Sequence, residues 1–80
     1  MKHVLIDSDV LLDVFMDRKP FAARAVKVLS LCESGKITGW TTSVILSNTY
    51  YLLRTIATHQ KVIDRLKQLL SFTEVLITNK

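Results

Sequence analysis

The chain has 80 residues, 49% of them apolar, a formal net charge of +4 and a mean hydropathy of +0.27. One domain is the most this length allows, and two glycines and one proline exclude collagen-like and low-complexity classes. A unit of about 80 residues buries only about 60–65% of its unfolded surface, so a chain this apolar should leave surface for a partner or form part of something larger.

In chain order, His3-Val4-Leu5-Ile6 is a short run without alternation, as expected of a strand buried on both faces of a parallel sheet. It stops at Asp7-Ser8-Asp9. Val10 to Phe15 then reads as a short helix capped by Ser8 or Asp9. Met16 to Lys19 is a polar loop, and Pro20 suits the first turn of the next helix. That second helix carries Ala22, Ala25, Val26, Leu29 and Cys32 on one apolar stripe and should end at Gly35. Lys36 to Trp40 predicts a second strand. Thr41, Thr42 and Ser43 offer caps for a third helix over Ser43 to Ala57. This helix is apolar nearly all round, so it should be buried or lie in an interface. A fourth helix is predicted over His59 to Ser71, and a β-branched third strand over Phe72 to Thr78. The order β-α-α-β-α-α-β implies an α/β fold: a parallel sheet of three strands flanked by helices. Because the last element is a strand, the chain reads as the N-terminal part of a single larger α/β domain, truncated after that strand.

The longest apolar run, Tyr50–Leu53, is far from the ~20 residues of a membrane span. A single Lys before a strand-like run is no signal peptide. One cysteine, Cys32, allows no internal disulfide and no cysteine-based zinc site. A reducing cytoplasm is the expected compartment.

Charge is unevenly distributed. Residues 1–17 hold Lys2 against Asp7, Asp9, Asp13 and Asp17, whereas the remainder holds ten bases against Glu33, Asp64 and Glu74. A compact acidic cluster in a basic chain suits a metal-dependent enzyme acting on a polyanion, although solvated basic faces and Asp caps give the same balance. In open α/β sheets, ligands bind beyond the carboxyl ends of the strands. Asp7 lies at that end of the first strand and Asp9 two residues on, so both should face one crevice. Mg²⁺ prefers such oxygen donors. Asp7 is therefore the first metal-ligand candidate and Asp9 the second, with helix capping as the competing role of Asp9. Asp13, four residues after Asp9, reads as a structural or solvated residue. His3 and His59 are isolated and read as structural. Cys32 belongs to the core. Trp40 and Tyr50–Tyr51 could stack on bases but read first as core or interface.

The opening Val4-Leu5-Ile6-Asp7-Ser8-Asp9 is similar to that of haloacid-dehalogenase-type phosphatases, in which Asp7 would be a nucleophile. Those enzymes continue with Gly-Thr, or with Thr or Val two residues past the second Asp. Here Leu11 stands there, and no glycine precedes Gly35. A fuller resemblance spans residues 1–78. Val4 to Asp13, Arg18-Lys19-Pro20-Phe21, Ser34 to Gly39 and Ser43 to Arg54 resemble, in order, the opening strand and acid, loop, second-strand turn and third helix of VapC-type PIN domains. These are the ribonuclease toxins of bacterial toxin–antitoxin pairs. The resemblance implies a PIN-like fold, Mg²⁺ or Mn²⁺ held by Asp7, an RNA substrate and an antitoxin partner. It places Asn48 where the family commonly has Glu, with a role in orienting water at the metal. The family's remaining acids follow its third strand, so the resemblance implies an incomplete active site in these 80 residues and no cleavage by them alone. It also implies an exposed edge on the first strand, and hence a homo-oligomer or completion by a C-terminal half. The rival expectation is a non-catalytic interaction module that docks through the third helix.

Overall fold

The computed structural model describes residues 2–76. Seven elements follow one another: β1 (Lys2–Leu5), α1 (Ser8–Phe15), α2 (Ala22–Glu33), β2 (Ile37–Thr42), α3 (Ser43–Leu53), α4 (His59–Leu70) and β3 (Thr73–Leu76). The strands form one parallel sheet in the order β1-β2-β3, with Val4 opposite Gly39 and Gly39 opposite Thr73. The expected α/β architecture, a three-stranded parallel sheet flanked by helices, is the one observed.

Both crossovers step the same way across the sheet. A common right hand then brings both helix pairs to the same face. The core agrees. Ile6, just past β1, forms one buried cluster with Leu11 of α1, Leu29 and Cys32 of α2 and Leu69 of α4, and Val4 and Ile37 of the sheet pack against it. A second cluster, Leu12, Leu53, Val62 and Leu66, ties α1 to α3 and α4. The thinnest dimension is 18 Å, which fits one helix layer on one sheet, since a further layer would add about 10 Å. The opposite sheet face carries His3, Leu5, Trp40, Glu74 and Leu76, and Leu5 is 56% exposed.

Local chemistry explains where the elements depart from expectation. The first strand is not buried on both faces. Its residues are largely exposed, because among the described residues β1 is an edge strand beside an open face, and Ile6 just beyond it is the buried one. The cap of α1 is Asp7, not Ser8 or Asp9: its side chain accepts a hydrogen bond from the Val10 amide at 3.2 Å. Pro20 stands in the turn before α2 rather than in its first turn. Gly35 ends α2 as expected, at φ +79, a conformation that costs glycine little. β2 runs on to Thr42, because Thr41 and Thr42 continue the ladder opposite Val75 and Leu76. Thr42 then caps α3 through the Ile45 amide.

Helix α3 stops at Leu53 instead of Ala57. The Thr55 hydroxyl donates to the Leu52 carbonyl and the Arg54 guanidinium to that of Ala57, closing a turn before Thr58 caps α4. Nor is α3 buried all round. Thr49 and Leu53 face the core, whereas Val44 and Tyr51 are 64% and 70% exposed. The two histidines are not isolated: the Trp40 indole N–H donates to His3 Nδ1 at 2.9 Å, and the Tyr50 hydroxyl pairs with His59 Nδ1 at 2.8 Å. Residues 77 and 78 of the predicted third strand lie outside the described residues.

Candidate active site

The site grows from the carboxyl end of β1. The Ile6 amide donates to the Trp40 carbonyl at 2.6 Å, which carries the pairing one residue past the strand. Ile6 then anchors in the core, and Asp7 leaves the sheet in an extended conformation, at φ −94 and ψ 179. The buried Ile6 thus fixes the backbone from which Asp7 projects. Asp7 is exposed, and one of its carboxylate oxygens serves the helix cap. Its second oxygen retains its lone pairs for another partner.

Asp9 lies in the first turn of α1 and is exposed. It lines an open groove of about 520 Å³ with Asp13, Arg18, Lys19 and Phe21. Asp7, two residues earlier, uses one carboxylate oxygen to accept from the Val10 amide at the start of α1. Asp13 has the structural role expected of it. It pairs with Arg18 at 3.1 Å, and the Arg18 amide also donates to the Asp13 carbonyl, which closes the loop between them.

Asn48 lies in the second turn of α3 and is exposed, on the same outward side as Val44, Tyr51 and Leu52. Among the described residues, no group of three or more His, Cys, Asp or Glu side chains could hold a metal ion. The donors fit a hard divalent cation in kind, as exposed carboxylates and an amide carbonyl. They do not form a complete cage.

Sequence reasoning passed over Thr41 as anything but a cap. It is fully buried at the carboxyl end of β2, one residue beyond the Leu5–Trp40 pair, and its hydroxyl has no hydrogen-bond partner among the described residues. A threonine in a strand carries no signal of this kind, because only the packing of α3 over the sheet end decides whether its hydroxyl is covered.

Fold and acidic turn together define an α/β protein with oxygen donors at the carboxyl end of its first strand. The chain belongs to the PIN-domain family, whose model matches residues 3–80. PIN domains are in general divalent-metal-dependent nucleases that act on RNA. Membership displaces the phosphatase reading of the same turn. No curated protein and no solved structure matches the chain. No helix among the described residues is long and apolar enough to cross a membrane.

Proposed function

We propose that this chain supplies the first part of the active site of a VapC-type endoribonuclease, the toxin of a toxin–antitoxin pair in the cytoplasm. The observation that carries the reading is Asp7, held by a buried strand end at the place where a parallel sheet presents its ligands. Asp7 and Asp9 would hold Mg²⁺ or Mn²⁺ through their carboxylate oxygens. When bound, such a cation supplies Lewis-acid activation for phosphodiester hydrolysis.

The chain's own residues do the rest. The α1 N-terminus fixes one oxygen of the Asp7 carboxylate, and the other keeps lone pairs for a ligand. Asn48 offers a neutral carbonyl acceptor and an amide donor for orienting a water. The bases beyond position 17 draw in the RNA backbone. Two carboxylates make a weak site, so the remaining acids would come from a C-terminal half or another chain, and these 80 residues alone should not cleave RNA.

Calorimetry with Mn²⁺ tests the assignment. Weak binding to the chain and none to Asp7→Asn is expected. Asparagine caps a helix about as well as aspartate, so this variant removes charge and leaves the fold. Tight binding that survives the substitution would overturn it.

A second reading, a non-catalytic interaction module, is favoured by the exposed apolar face of α3. The partner there would be an antitoxin segment or a second copy. Self-association at micromolar concentration, lost in Tyr51→Lys, together with no Mn²⁺ binding would select it.

A further inference from the structure

Phe21 is 59% exposed and stands at the entry to α2. Phe21 lines two grooves. One is the groove that Asp9 lines, together with Arg18 and Lys19. The other, of about 250 Å³, is lined by Arg24 with the apolar Val10, Ala25 and Val28. The exposed aromatic residue is therefore shared by two grooves that each hold a cation, one of which also holds Asp9 of the acidic turn. Asp13 lines both grooves, but its charge is matched by Arg18 at 3.1 Å. Lys19 and Arg24 are exposed cations, one in each of the two grooves that Phe21 lines.

A ring that accepts a base face, with cations spaced to meet the phosphates on either side, is the pattern used for single-stranded nucleic acid. A protein partner would use the apolar lining, Val10, Ala25 and Val28, without calling on the cations that share both grooves with Phe21.

We infer that Phe21 is a base-stacking platform of a single-stranded RNA subsite, with Lys19 and Arg24 as its phosphate contacts, leading the strand to Asp9. This rests on the nuclease reading and adds to it the path of the substrate. The Asp13–Arg18 pair positions the loop and does not touch the strand.

The test measures binding of a labelled single-stranded oligoribonucleotide to the 80-residue chain in EDTA, so that neither metal nor cleavage enters. Phe21→Leu should weaken binding about fivefold or more, and Phe21→Trp should restore it. Lys19→Ala should weaken binding and lower the slope of log affinity against log salt by about 0.7, the value for one phosphate on a single strand. Phe21→Leu should leave that slope unchanged. Inorganic polyphosphate, which has no bases, should respond to Lys19→Ala and Arg24→Ala but not to Phe21→Leu.

Equal oligoribonucleotide binding by wild type and Phe21→Leu would overturn the platform and leave the nuclease reading standing. Loss of self-association in Phe21→Leu with unchanged RNA binding would also overturn it, by making Phe21 a protein contact. A wild-type chain that binds no RNA would overturn it as well, and the nuclease reading would then stand or fall on the Asp7 metal measurement.

Discussion

Asp7 carries two duties that a substitution can separate. As a cap it satisfies the Val10 amide, and as a carboxylate it offers charge beyond the sheet. Asp7→Ala should lower stability by about 1 kcal/mol and abolish Mn²⁺ binding, whereas Asp7→Asn should abolish binding at a cost of only a few tenths of a kcal/mol. Chemical denaturation beside calorimetry separates the two. Thr41 offers the converse experiment. Its buried hydroxyl lacks a partner, and leaving such a group unpaired costs about 1–3 kcal/mol. Thr41→Val should be neutral or stabilising in a melt, and destabilisation would mean that the hydroxyl has found a partner. Cys32 responds to pH. Burial pushes its thiol above the ordinary 9.0, so the native state holds its proton where the unfolded state has released it. Stability from this group is intact below pH 9 and falls as pH rises beyond it. Denaturation midpoints measured across pH 8–10.5 should show the decline, and Cys32→Ala should flatten it.

Whole elements depend on close approach between layers. Gly39 lies in the middle of β2, and a Cβ there would stand 2.8 Å from Cys32 Sγ and 3.2 Å from Thr73 Cγ2. Helix α2 can rest on the sheet because that position is empty. Gly39→Ala should cost about 1–3 kcal/mol through overpacking. Combined with Cys32→Ala it should cost less than the two singles together, since the added methyl then occupies the space of the removed sulfur. Additive costs would show that Thr73 is the harder obstacle. All seven elements were legible in the sequence, because apolar spacing, Gly35 and the threonine caps are local signals. What was not legible depended on neighbours. The length of α3 was set by hydrogen bonds from Arg54 and Thr55 to carbonyls, and apolar composition does not report these. The Asp7 cap was missed because its charge suggested a ligand before a cap. Phe21 carried no signal of a binding role until the fold left it exposed in two grooves, one with Lys19 and one with Arg24.

At the scale of the molecule, two layers leave the second sheet face uncovered. The sequence foresaw surplus apolar surface from its composition but could not say where it would lie. The structure spreads it over Leu5 and Leu76 on the sheet, Val44, Tyr51 and Leu52 on α3, Ile56 just after α3, and Phe21 and Val26 at α2. These surfaces belong to different elements, so a partner could use one without the others.

Trp40, the chain's single tryptophan, stands on that open sheet face, half-buried, with its indole N–H held by His3 Nδ1. The molecule thus carries its own optical gauge. Anything that covers the sheet strips water from the one indole and moves its emission to shorter wavelength. Contact made only through α3 leaves the emission where it was. Recording the spectrum across a concentration series therefore tells which surface associates, without any label. A blue shift that follows the rise in mass assigns the sheet face, and a rise in mass with an unmoved spectrum assigns a surface away from it, which Tyr51→Lys and Phe21→Leu then divide between α3 and α2. Repeating the series in His3→Ala, which removes the indole's acceptor, separates solvent exclusion from loss of the hydrogen bond.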